Sequence, residues 1–184
     1  MQIEFQILDW IQSIRTPFLD VLMHFFTTLG NAGIIWIVAA IGLFVYPKTR
    51  KYGVAVALAL CVDALVCNGI LKNLFCRIRP CDVSQTVELL IKHPQDFSFP
   101  SGHTAAGFAV VSALFFERDR KWCKWLLPLA IVIAFSRLYL YVHYPTDVLG
   151  GVLVGIVAGY CGFLLEKMIL KQIALRKQQK EEIY

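Results

Sequence analysis

Apolar residues in this chain gather into five long runs, at 32–46, 53–71, 99–116, 122–142 and 148–165, separated by short polar stretches. Each run approaches the ~20 residues that cross the hydrocarbon core of a bilayer, so the pattern predicts membrane helices. A briefer run at 18–29, set off by Pro17 and by Gly30 and Asn31, reads either as a short sixth crossing or as a half-inserted helix, and the sixth crossing is preferred. Ahead of it, Ile3, Ile7, Trp10, Ile11 and Ile14 recur at helical spacing with Glu4, Gln6, Asp9 and Gln12 between them, the pattern of an amphipathic helix lying in the interface. This segment has neither the basic start nor the small-residue cleavage site of a secretory signal, so it is expected to stay attached. The predicted fold class is all-α: a polytopic membrane helical bundle with about six transmembrane helices and an N-terminal interfacial amphipathic helix. Residues 1–16 form that helix, 17–170 a single membrane domain and 171–184 a polar cytoplasmic tail.

Composition agrees with the pattern. Across 184 residues, 58% are hydrophobic and the mean hydropathy is +0.61, above what a soluble domain needs. The basic residues set the orientation. Lys48, Arg50 and Lys51, then Arg118, Arg120, Lys121 and Lys124, then Lys167, Lys171, Arg176, Lys177 and Lys180 make twelve of the eighteen cations, and such clusters stay cytoplasmic. With six crossings both termini are then cytoplasmic, and 72–99 and 142–147 face outward. The net charge of +5 lies in loop clusters beside apolar runs, which excludes the basic face of a nucleic-acid reader and points to anionic lipid headgroups. Cys61, Cys67, Cys123 and Cys161 lie in or beside apolar runs without zinc-knuckle spacing and read as packing residues, so no metal site is predicted. Cys76 and Cys81, five apart on the outward side, are candidates for a disulfide.

Three stretches at the outward ends of apolar runs carry chemistry suited to phosphate. Lys72 and Arg79 frame the first and Arg137 ends the fourth long run; three cations can neutralise a phosphate monoester of about −1.5 to −2 and the added charge of its transition state. In Pro100-Ser101-Gly102-His103, Ser101 is placed as an N-cap, Gly102 permits close backbone approach, and His103 can protonate a leaving oxygen and later activate water. In the third, Pro145 marks a helix start, so Asp147 falls in the first turn and can reach back to orient His143 as a nucleophile. Each stretch alone also fits a plainer role: headgroup snorkelling, a capped helix, a first-turn acid.

Together, Lys72-x6-Arg79-Pro80, Pro100-Ser101-Gly102-His103 and Ser136-Arg137-x5-His143-x3-Asp147 resemble the tripartite signature of type 2 phosphatidic acid phosphatases, whose superfamily includes the vanadium haloperoxidases. The resemblance implies a lipid phosphatase domain over 17–170 that works without metal or cofactor. His143 attacks phosphorus to form a phosphohistidine, Asp147 orients it, and His103 protonates the leaving group. Lys72, Arg79, Ser101, Gly102 and Arg137 hold the phosphoryl oxygens. Undecaprenyl diphosphate is the preferred substrate, with phosphatidylglycerol phosphate and phosphatidic acid as alternatives. A lipid carrier or scramblase is the reading from another class, but pure binding has no need of two histidines and an oriented acid. Asp63, inside an apolar run, must face the bundle interior, where Asn68 can share a polar surface with it. Gly151, Gly155 and Gly159 form a small-residue stripe for helix packing. No feature specifies an oligomeric state.

Overall fold

The computed structural model describes residues 2–84 and 87–181, and among them there is no strand. The elements are α1 (Gln2–Ser13), α2 (Pro17–Gly30), α3 (Ile34–Val45), α4 (Arg50–Asp63), α5 (Lys72–Phe75), α6 (Pro80–Val83), α7 (Gly102–Phe116), α8 (Arg120–Tyr139) and α9 (Pro145–Glu181). A π-helical stretch, Ala64–Leu71, joins α4 to α5 in one rod and places Asp63, Asn68 and Lys72 on a common cavity. The helical runs Pro17–Val45, Pro47–Val83, Arg120–Tyr139 and Pro145–Gln179 are long and apolar enough to cross a membrane, and Gly102–Phe116 is a shorter apolar helix.

Two of the expected crossings prove to be one. α2 runs antiparallel to α8: Tyr139 Oη donates to Asp20 at 2.6 Å, Arg137 donates to Thr27, and a Cβ on Gly30 would lie 3.0 Å from Ile133. α3 continues in the same direction, with Trp36 beside Gly107 of α7 and Phe44 against Gly53 near the start of α4. The intervening turn, Asn31–Gly33, has Ala32 at φ 51° and Gly33 at φ 70° and bends the chain without reversing it. Residues 18–29 and 32–46 are therefore successive parts of one run, Pro17–Val45, so the described residues hold four helices long enough to cross and the shorter Gly102–Phe116, not six separate spans.

The termini change accordingly. Glu4 of α1 pairs with Arg77 at 2.8 Å and Gln12 donates to the Tyr139 carbonyl at 2.9 Å, so α1 lies at the end that holds 72–80 and 137–147. α9 descends to the other end, where Lys167 pairs with Glu117 at 2.8 Å. Gln2 and Glu181 sit at opposite ends of the bundle, which corrects the expectation that both termini are cytoplasmic. Leu8 and Ile11 bury one face of α1 against Tyr139, Tyr141 and Tyr144, while Ile3 and Trp10 remain outward at 71% and 63% exposure. The helix is thus clamped to the protein by one stripe and leaves a second apolar stripe uncovered. Met1 and residues 182–184 of the expected tail lie outside the described residues.

The glycine stripe seats the two helix starts that matter most. A Cβ at Gly151, Gly155 or Gly159 would fall 2.5–2.7 Å from the carbonyl oxygens of Ser101, Ala105 and Ala109. Only hydrogen at these positions lets α9 close on α7, and this contact sets Asp147 beside Ser101, whose N–H donates to the Asp147 carbonyl at 3.0 Å.

Candidate active site

Lys72 opens α5 and is buried. The chain leaves that helix through Cys76 at φ 45° and runs on to Arg79, the residue before α6. Pro80 starts α6 and holds Arg79 extended. The Arg79 guanidinium, 2% exposed, uses its whole fork. Nη1 donates to the Val142 carbonyl at 2.6 Å and lies 3.2 Å from Nε2 of His143; Nε donates to the Asp96 carbonyl at 2.8 Å, and Nη2 to Asp96 Oδ1 at 2.5 Å. Lys72 is paired with the other Asp96 oxygen. Arg137, buried in the last turn of α8, donates to Thr27 and leaves its Nε–H without a partner.

His143 is 1% exposed, in the loop between α8 and α9. An Arg N–H can only donate, so the contact with Arg79 makes Nε2 the acceptor and puts the imidazole proton on Nδ1. Nδ1 faces Asp147 Oδ2 at 3.6 Å, an ion-pair separation longer than a hydrogen bond, and the Ser98 backbone also favours a proton on the ring. The separation is long because Asp147 is already occupied. It reaches back to accept the Tyr144 N–H at 2.9 Å, as its first-turn position predicts, and also accepts from Ser98 Oγ at 2.5 Å and Arg77 Nη1 at 2.5 Å.

Ser101 sits at the N-cap of α7, but its side chain does not cap the helix: Oγ accepts from Thr104 Oγ1 at 2.9 Å instead. At Gly102 a Cβ would stand 3.0 Å from Asn68 Oδ1 and 3.8 Å from Lys72 Nζ, so these side chains pack close against the glycine backbone. His103 contacts Asn31 Oδ1 through Nε2 at 3.0 Å and lies within electrostatic reach of Arg137, His143, Lys72 and Arg79. A cavity of about 260 Å³ opens between these groups, lined by Lys72, Asn68, Gly102, His103, Asp63 and Asp96 among others. Asp63 is buried as expected, with Oδ1 lacking a hydrogen-bond partner.

The structure thus brings Lys72, Arg79, His143 and Asp147 into one connected network, with Gly102 and His103 across the cavity from Lys72. Four contributors escape a reading of the sequence. Asp96, Ser98 and Asn31 lie in polar loops, and their partners are far away in sequence. Arg77 bridges Asp147 to Glu4 and stacks 4.0 Å over the Tyr144 ring. Cys76 and Cys81 are unpaired; Cys76 is exposed and its thiol donates to the Asn73 carbonyl at 3.0 Å, while Cys81 is buried. Among the described residues, Cys81, Asp82 and His93 form the one group able to hold a metal, with ligand atoms within 4.8 Å of one another. None of them touches His143 or His103 in the contacts above.

Burial, reinforced by the charges of Arg79, Arg137 and Lys72, pushes His143 well below the ordinary imidazole range. Burial alone would raise the Asp96 carboxyl, but the hydrogen bond and charge of Lys72, with those of Arg79, hold it well below the usual carboxylate range. His143 is therefore neutral, with a lone pair on Nε2. Because the unfolded chain takes up a proton at this residue near pH 6.5 and the folded one does not, stability falls as pH drops below about 6.5. Thermal melts in detergent between pH 7.5 and 5.5 should show this slope, and His143→Gln should make it shallower.

The family model of the PAP2 superfamily matches residues 48–170. The undecaprenyl-diphosphatase BcrC of Bacillus subtilis is 35% identical over 151 residues, covering 82% of this chain and 77% of BcrC. The crystal structure of Aquifex aeolicus LpxE superposes with a TM-score of 0.74 at 31% identity, covering 86% of this chain and 93% of that one. A PAP2-type phosphatidylglycerolphosphate phosphatase from Bacillus subtilis superposes with a TM-score of 0.71 at 30% identity, covering 94% and 86%.

Proposed function

Since this chain belongs to the PAP2 superfamily, the type 2 phosphatidic acid phosphatases, and is a multi-pass membrane lipid phosphatase, we propose that it removes the terminal phosphate of undecaprenyl diphosphate through a phosphohistidine on His143. One observation carries the reading: Arg79 Nη1 meets a neutral imidazole nitrogen at 3.2 Å while the other nitrogen faces a buried Asp147. A phosphoryl group held by Lys72, Arg79, Arg137 and the Gly102 amide lies over Nε2. The P–N bond forms as the bond to the leaving oxygen breaks, and His103 gives that oxygen a proton. Water, deprotonated by His103, then displaces His143 and frees phosphate. Asp147 stabilises the imidazole proton, with Arg77 and Ser98 fixing its carboxylate. Ser101 contributes by fixing the start of α7, through Thr104 and the Asp147 carbonyl.

The lipid nature of the substrate is supported by an apolar groove of about 610 Å³ between α3 and α4, which shares Ile37, Leu60 and Ala64 with the polar cavity. A chain lying there would present its headgroup to Lys72. Orientation follows from charge: Lys48, Arg50, Lys51, Arg118, Arg120, Lys121 and Lys124 all lie in or beside the connections before α4 and α8, remote from His143, so the C-terminus is cytoplasmic and the site and α1 face outward. Residues 17–170 form the phosphatase domain. Phosphatidylglycerol phosphate is the second reading, favoured by the likeness to the Bacillus phosphatase.

The test is phosphate release by purified protein from undecaprenyl diphosphate, phosphatidylglycerol phosphate and phosphatidic acid, compared as kcat/KM. The first should lead. Excess chelator should leave the rate unchanged, because side-chain cations carry the phosphate charge; a loss restored by a divalent ion would instead require a metal in the reaction.

A further inference from the structure

The cation clamp already holds an anion of the protein's own. Asp96 presents one carboxylate oxygen to Lys72 and the other to Arg79 Nη2, two of the cations assigned to the substrate's phosphoryl group. Building on that phosphatase reading, we propose that Asp96 is a built-in competitor at the substrate site: its carboxylate occupies the phosphate seat and sets the affinity that an incoming anion must exceed. Two features make it displaceable. Its side chain is 53% exposed, beside partners at 9% and 3%, so rotation toward the cavity mouth needs no opening of the core. Its backbone carbonyl separately accepts the Arg79 Nε–H at 2.8 Å, so Arg79 keeps its anchor while the carboxylate leaves.

The benefit follows from where the site works. A membrane surface is crowded with phosphodiester headgroups, each a monoanion. Such a group gains little over the carboxylate already bound. A terminal phosphoryl of about −1.5 to −2 charge, with three acceptor oxygens, gains more from Lys72 and from the unpartnered Arg137 Nε–H. An internal competitor weakens every ligand by the same factor, the reciprocal of the open fraction. Monoanions then fall below useful occupancy and dianions do not.

That equality of factor is the signature to measure. Calorimetric titration of detergent-solubilised protein at pH 8 would compare orthophosphate with dimethyl phosphate on wild type and Asp96→Asn. Both dissociation constants should drop in the variant by a common factor of roughly ten or more, and phosphatidylglycerol micelles should inhibit the variant and spare the wild type. Unchanged or weaker binding of both ligands would overturn the proposal and make Asp96 a scaffold for Lys72 and Arg79. If Asp96→Asn fails to fold, Asp96→Ser, whose side chain is too short to bridge both cations, carries the same expectation. Because binding is read directly, failure of the phosphatase reading would show separately as absence of phosphate release by wild type.

Discussion

Replacing His143 with alanine is expected to lower kcat by about 10⁴-fold or more, because members of a nucleophile-centred unit act together and loss of one removes most of the rate. The geometry leaves no substitute. His103 is the other imidazole near the cavity, but its Nε2 is held by Asn31 at 3.0 Å. Phosphate release in detergent, with helical content checked by circular dichroism, measures the loss. Substantial residual turnover in a folded His143→Ala protein would mean that water is activated directly, with no covalent step.

Arg137→Met should separate catalysis from stability. Arg137 is almost completely buried, its Nε–H has no acceptor, and the contact resolved for its guanidinium is with the neutral Thr27 hydroxyl. A buried cation with an idle donor is a cost to the empty protein and an asset to a pentavalent phosphorus. The variant should therefore lose about 10²-fold or more in kcat while melting at the same temperature or higher without phosphate, the trade expected of a strained functional residue. A fall in melting temperature together with nearly normal kcat would assign Arg137 to the scaffold instead.

How far the sequence carried depends on the range of the interactions involved. Helix starts are local: Pro145 and Asp147 give the start of α9 and its back-reaching carboxylate, and the glycines spaced by four give the α7–α9 contact. Lys72, Arg79, Ser101, Arg137 and His143 could be brought to one end because each lies at or near the outward end of an apolar run. The α2–α3 joint was misread because Gly30 and Asn31 look like a reversing turn. What decides is the pair of positive φ values at Ala32 and Gly33, together with packing along α8, and neither leaves a mark in the residue pattern. That joint also moves α1 to the site end, where Glu4 meets Arg77. Asp96 was invisible for a related reason: it pairs with residues 17 and 24 positions away across an irregular loop, beyond any helical or strand period.

The central claim is that phosphate passes through His143. Rapid quenching of the purified protein with undecaprenyl diphosphate labelled in its terminal phosphate, followed by mapping of the labelled peptide, measures this directly. The predicted result is an acid-labile, base-stable label on His143 that forms and decays within a turnover and is absent from His143→Ala. Steady turnover with no label at His143, or with the label on another residue, would contradict it.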